Sequence, residues 1–120
     1  MQTKTAITGY DAMGRLQSEQ RCMGANCSTG NYTMSYTYDL AGKLLTYPSG
    51  YGNLNFTNNY DPAGRLSTVT QGANQPLFWL PSYTPAGALS GVQLGTSISM
   101  RRTFDSSQRV TNETDSNPTQ

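Results

Sequence analysis

The chain has 120 residues, a net charge of +1, no histidine and 12% charged residues, about half the usual share for a globular domain. Its longest basic run is the pair Arg101-Arg102, which argues against nucleic acid as a partner. No apolar stretch reaches the ~18 residues needed to span a membrane. Only 35% of residues are hydrophobic, and Thr, Ser, Asn, Gly and Tyr fill the gap. That mixture disfavours helices and favours strands and turns. Eight tyrosines and a nearly balanced charge point to packed sheet rather than disorder. A chain of this length can bury about two-thirds of its unfolded surface, so a core is possible.

In chain order, the opening Met1-Gln2-Thr3-Lys4-Thr5 has no apolar run and is not a signal peptide. If the protein is exported, the signal is expected outside this chain. A turn motif then recurs: aromatic, Asp, two variable residues, Gly, basic, aliphatic. Tyr10-Asp11-Ala12-Met13-Gly14-Arg15-Leu16 is the first copy, Tyr38-Asp39-Leu40-Ala41-Gly42-Lys43-Leu44 the second, and Tyr60-Asp61-Pro62-Ala63-Gly64-Arg65-Leu66 the third. Tyr83-Thr84-Pro85-Ala86-Gly87-Ala88-Leu89 and Phe104-Asp105-Ser106-Ser107-Gln108-Arg109-Val110 are degenerate fourth and fifth copies.

Each position has a physical reason. Asp accepts hydrogen bonds from backbone N–H groups further round a turn. Pro62 and Pro85 suit the φ near −65° of a type I turn. Gly sits where a type I turn followed by a bulge needs φ > 0. The predicted unit is a β-hairpin in which Asp faces the basic residue and the aromatic faces the aliphatic one. The fourth copy loses Asp and Arg together, as that pairing requires. Gln108 breaks the glycine rule, so the fifth hairpin is expected to be looser or to use another turn.

The strands before the turns alternate with period two, with Tyr32, Met34, Tyr36 and Tyr38 on one face. Polar or Gly/Pro breaks, such as 48–53 and 71–76, return the chain for the next hairpin. The residues from Asp115 to Gln120 read as a frayed tail. The expected fold is all-β: one region over 1–120, an antiparallel meander of about five tandem hairpins and about ten strands, forming a curled sheet. Its end strands are open edges, so self-association through them is expected.

Three tight copies and two weak ones, recurring at about 21–23 residues, resemble the YD-repeat or Rhs family over roughly residues 5–114. In that family the repeats wind a long sheet into a hollow shell. For toxin-complex C and Rhs proteins the resemblance implies a cocoon around a toxin. For wall-associated and teneurin-like proteins it implies cell-surface adhesion or carbohydrate contact. A chain with five hairpins is too short to close a shell alone. It is therefore expected to be a structural piece of a β-shell, with flanking repeats of a longer chain as partners and a toxin or a surface glycan as cargo or ligand. The self-cleaving core of Rhs proteins and a following toxin domain are not recognisable. The implied location is extracellular or at the cell surface.

Candidate site residues are mostly structural. The turn motif comprises Asp11, Gly14, Arg15, Asp39, Gly42, Lys43, Asp61, Gly64, Arg65, Asp105 and Arg109. Without histidine there is no Ser–His or Cys–His pair. Four of the five Asp are turn residues, so no catalytic group, metal site or cofactor is expected. Cys22 and Cys27 flank an insertion in the first repeat interval. They read as a disulfide of an exported protein, as free thiols, or as a metal site lacking two ligands. Tyr32, Tyr36, Tyr51, Phe78 and Trp79 can pack the sheet or stack on sugars. The run Leu77-Phe78-Trp79-Leu80-Pro81 breaks the alternation, and Trp79, with Tyr51, is the candidate partner contact.

Overall fold

A computed structural model describes residues 3–23, 31–49, 54–73 and 75–117. Every element in them is a strand: β1 (Thr3–Tyr10), β2 (Leu16–Met23), β3 (Asn31–Ser35), β4 (Thr37–Tyr38), β5 (Leu44–Pro48), β6 (Asn55–Tyr60), β7 (Leu66–Gln71), β8 (Gln75–Tyr83), β9 (Leu89–Leu94), β10 (Ile98–Phe104) and β11 (Val110–Ser116). They form a three-stranded sheet in the order β1-β2-β3 and an eight-stranded sheet in which β4 to β11 lie side by side in chain order. The pairs β1-β2, β2-β3, β4-β5, β7-β8, β8-β9, β9-β10 and β10-β11 are antiparallel. The fold is therefore the expected all-β meander. β11 runs on to Ser116, so Asp115 and Ser116 are strand residues, opposite Met100 and Ser99, and the expected fraying at Asp115 does not occur.

The chain divides into two compact units, 1–56 and 57–120. In the first, β3 follows β2 and bonds to it from Cys22↔Asn31 to Ser18↔Ser35. At Tyr36, whose N–H still donates to the Gln17 carbonyl at 2.8 Å, the chain passes on into β4, which pairs with β5. The exposure of β3 and β4 follows the period-two pattern: Tyr32, Met34, Tyr36 and Tyr38 are covered and the residues between them are exposed. Met34 is 7% exposed and Cys22 3%. In the second unit Val92 is 4% exposed. These three are the buried apolar side chains among the described residues. A half-polar sequence leaves each sheet with a thin core.

The unit repeated along the chain is the bulged hairpin. In all five turns the residue after the aromatic donates a backbone bond to the residue four places on. Asp11, Asp39, Asp61, Thr84 and Asp105 each donate N–H to the carbonyl of Arg15, Lys43, Arg65, Ala88 and Arg109 at 2.8–2.9 Å. The glycine of each of the first four motifs lies at positive φ: 77° at Gly14, 85° at Gly42, 78° at Gly64 and 89° at Gly87. The aromatic-to-aliphatic register is seen directly at Tyr10↔Leu16, Tyr38↔Leu44, Tyr83↔Leu89 and Phe104↔Val110.

The fifth hairpin corrects the sequence expectation. It does not loosen or change turn: Gln108 takes φ 62° and its N–H donates to the Asp105 carbonyl at 3.0 Å, as Gly does elsewhere. The Asp105 bonds and the strands on either side override the local preference. A non-glycine residue in this region costs ~1–2 kcal/mol, and glycine's extra chain entropy offsets ~0.5–1 of that on replacement. Gln108→Gly is therefore expected to stabilise the protein by about 0.5–1 kcal/mol, read as a higher thermal midpoint.

The irregular run in β8 resolves at Leu80. This residue has φ 47° and is 66% exposed, and the register shifts between Trp79 and Ser82. A bulge of this kind is where a strand accommodates proline, here Pro81.

Candidate functional site

The turn residues make a repeated electrostatic device. Asp11 Oδ1 accepts from the N–H of Met13 and of Arg15, both at 2.9 Å, and Oδ2 accepts from Arg15 Nε at 2.6 Å. Asp61 repeats this with the Arg65 N–H and Nε, each at 2.8 Å. Asp105 repeats it with Ser107 N–H, Arg109 N–H and Arg109 Nε at 2.9, 2.9 and 2.8 Å. Asp39 accepts from the Lys43 N–H at 2.8 Å. In the fourth turn Thr84 Oγ1 takes over the acceptor role, receiving the Ala88 N–H at 3.1 Å. Each Asp thus closes its own turn, and Asp11, Asp61 and Asp105 also orient the arginine four residues on.

The backbone N–H of Arg15, Arg65 and Arg109 is the main influence holding Asp11, Asp61 and Asp105 below the ordinary carboxyl value of 3.8, with the arginine side chains adding to it. A depressed carboxyl favours the fold above the unfolded value. Its contribution is lost as the pH falls from 3.8 through the folded value. Asp61→Ala removes both acceptor roles, whereas Asp61→Thr keeps the one that Thr84 performs. Urea unfolding at neutral pH should show a lower midpoint for both, with threonine recovering more than half of the loss. Both substitutions should also flatten the fall in stability on acidification below pH 3.8.

Two of these arginines, Arg15 and Arg65, tie one hairpin to the next. The Arg15 guanidinium lies 4.7 Å from the centre of the Tyr38 ring, and its NH1 donates to the Asp39 carbonyl at 2.8 Å. The Tyr38 hydroxyl donates back to the Leu16 carbonyl at 2.9 Å. In the second unit Arg65 lies 4.6 Å from the Tyr83 ring, and Tyr83 Oη donates to the Leu66 carbonyl at 2.6 Å. Burial, followed by the charge of Asp61, raises the Tyr83 hydroxyl above its usual 10. This staple has three parts: a turn Asp that aims an Arg, an Arg that covers the next Tyr, and a Tyr that bonds the backbone just past that Arg. At the joint between the fourth and fifth hairpins both side-chain partners are missing, because Ala88 has no guanidinium and Phe104 no hydroxyl.

One polar cluster escaped the sequence reading. Glu19 is 6% exposed, and its Oε1 accepts from Tyr36 Oη at 2.8 Å and from Arg21 NH2 at 2.9 Å. Burial, and then the bond to Glu19, raise the Tyr36 hydroxyl. The carboxylate has a cation and a hydroxyl beside it and ties β2 to Tyr36, between β3 and β4. Nothing in the sequence distinguishes Glu19 from a surface residue, since its neighbours Ser18 and Gln20 are polar too.

The partner-contact candidates separate. The Trp79 indole N–H donates to the Gly95 carbonyl at 2.8 Å and its ring is half-buried, whereas Leu80 beside it is the apolar side chain turned outward. Tyr51 lies outside the described residues. Cys22 is disulfide-bonded and its Sγ sits 3.5 Å from the Lys4 carbonyl oxygen. Cys27, its expected partner, lies outside the described residues. A cleft of about 530 Å³ over β8, β9 and β10 is lined by Leu80, Ser82, Val92, Met100 and Arg102 among others, without a carboxylate or thiol. Among the described residues no three His, Cys, Asp or Glu come together in a way that could hold a metal.

No protein-family model matches the chain, and no curated protein matches its sequence. Solved structures do match its fold. The crystal structure of TcdB2-TccC3 without its hypervariable C-terminal region aligns with 96% of this chain at TM-score 0.79 and 20% identity. The structure of the Photorhabdus luminescens Tc holotoxin pore aligns with 96% at TM-score 0.80 and 20% identity. The fold is shared with part of a Tc toxin complex. This chain spans 6% of the length of each of those chains.

Proposed function

We propose that this chain is a wall segment of a YD/Rhs-type shell, serving the encapsulation or delivery of a toxin outside the cell. The observation that carries the reading is the stapled hairpin array, whose backbone aligns over nearly its whole length with a small part of a TcdB2-TccC3 chain. The role proposed is mechanical and needs no catalyst. The turn carboxylates are spent on their own N–H groups and arginines, and Glu19 is held by Arg21 and Tyr36. The wall is made of ladder bonds and staples, so its strength comes from repetition rather than from a large core. Flanking repeats of the same type would continue it on either side.

The adhesion reading rests on Trp79 and Tyr51. The indole N–H of Trp79 is already given to Gly95, which favours packing over sugar contact. The deciding experiment is an immunoblot of source cells and their medium with an antibody against this segment. A band several times larger than 13.0 kDa, found outside the cells and protecting a cargo from protease, is the expected result. A band at 13.0 kDa that binds surface glycans saturably, and loses binding on Trp79→Ala, would replace the shell with an adhesion module.

A further inference from the structure

Five of the six arginines hold a carboxylate: Arg15 that of Asp11, Arg21 that of Glu19, Arg65 that of Asp61, Arg102 that of Glu113 and Arg109 that of Asp105. Arg101 is the sixth. It is exposed, and among the described residues no carboxylate pairs with it. The register explains this. Opposite residues of paired strands share a face, and Arg101 of β10 stands opposite Gly91 of β9 and Thr114 of β11. The acids of β11 fall on the other face, Glu113 opposite Arg102 and Asp115 opposite Met100. Arg101 is therefore a cation on a face of hydroxyls and amides. Its strand lies between β9 and β11, so this setting does not depend on an open edge.

Arg101 borders the cleft over β8, β9 and β10. Gly91, opposite it, keeps the floor open, since a Cβ there would lie 2.7 Å from Ser82 Oγ. Around this gap stand Ser82, Ser90, Gln93, Ser99 and Thr103. The Ser82 and Ser90 hydroxyls share one bond at 3.1 Å, which leaves each with further bonding capacity. Leu80, exposed on its bulge, supplies an apolar wall. The volume of about 530 Å³ falls within the range of small-molecule sites.

We propose that this cleft binds a hydroxylated monocarboxylate of the uronic-acid type, with the carboxylate on Arg101 and the ring hydroxyls on the serines and Gln93. Each part of the lining selects for this class. A single guanidinium balances one negative charge, and its fork matches a carboxylate. A phosphate ester carries more charge than one arginine neutralises. No acid lines the cleft, so the ammonium group of an amino acid would have no counter-charge. Leu80 alone is too little apolar surface for a fatty acid. Ser, Thr and Gln side chains both donate and accept, as sugar hydroxyls do. The site does not include Trp79, and it stands whether or not the shell reading holds.

The test is a heteronuclear NMR titration of the 120-residue chain with sodium glucuronate, with glucose and sodium acetate as matched probes. Glucuronate is expected to shift the Gly91 and Arg101 amides and the Arg101 Nε–H saturably, in the millimolar range that suits an open cleft. Glucose lacks the charge and acetate lacks the hydroxyls, and each should bind roughly tenfold more weakly or worse. Arg101→Gln should weaken glucuronate binding by roughly tenfold. Its far-UV circular dichroism should be unchanged, because the side chain is exposed. Lys4→Gln removes the same charge from β1 and should leave binding as it is. Shifts that never saturate would overturn the proposal, as would Arg101→Gln binding like wild type. Acetate binding as well as glucuronate would also overturn it, by reducing the cleft to a simple anion site.

Discussion

Tyr83→Ala is expected to lower the stability of the second unit by about 2–3 kcal/mol, somewhat less than the ~3–5 of a fully buried ring. The substitution removes three things together: half-buried aromatic area, the Arg65 guanidinium over the ring at 4.6 Å, and the hydroxyl bond to Leu66. Tyr83→Phe separates them. It leaves the ring and the cation in place and should cost about 0.5–1.5 kcal/mol for the lost hydrogen bond. Arg65→Ala tests the same contact from the other side. If the two residues act as one staple, the double variant should lose less than the sum of the single losses, by at least about 0.5 kcal/mol. Strict additivity in urea unfolding would show that the ring and the guanidinium are neighbours and nothing more.

Met34→Ala should destabilise the first unit by about 2–3 kcal/mol, within the range for buried methionine truncations. Met34 is 7% exposed, and few apolar side chains in this chain are buried, so the surrounding sheet has little with which to fill the cavity. Leu40 is larger than alanine by the same order but is 95% exposed at a turn tip. Leu40→Ala should change stability by less than about 0.5 kcal/mol. A pair of chemical denaturation curves decides whether the partly covered stripe Tyr32-Met34-Tyr36 carries stability or merely follows the pleat.

The hairpins were legible in the sequence because each turn position has its own local chemistry. Asp, Pro and Gly at fixed offsets fix the turn, and the turn fixes the register of Tyr against Leu. The period-two stripe of Tyr32 to Tyr38 was legible for the same reason: a strand has only two faces. The fifth turn was misread because a local preference at Gln108 was weighed without the Asp105 bonds and flanking strands that hold it. Glu19 was invisible because its burial comes from a neighbouring strand. The staple lay between these cases. It joins residues in different hairpins, Arg15 with Tyr38 and Arg65 with Tyr83, so no single motif displays it. Its trace was nonetheless present in the fourth and fifth copies, where arginine disappears at 88 and the phenol at 104. The loss at 88 was read only within its own hairpin, as the partner of the missing Asp at 84.

That double loss also decides where the chain yields. In an array whose repeats touch only their neighbours, stability is close to a sum of repeat terms and joint terms, and cooperativity is weakest at the weakest joint. At the joint of Ala88 and Phe104 the staple is missing and the ladder remains, Met100↔Val92 and the pairs around it. The hairpin beyond it ends in a strand exposed along its whole length. β10 and β11 are therefore expected to open more readily than the stapled hairpins, read as faster amide hydrogen exchange in those two strands. A tear line of this kind would let the array part at an unstapled joint without dismantling the stapled hairpins.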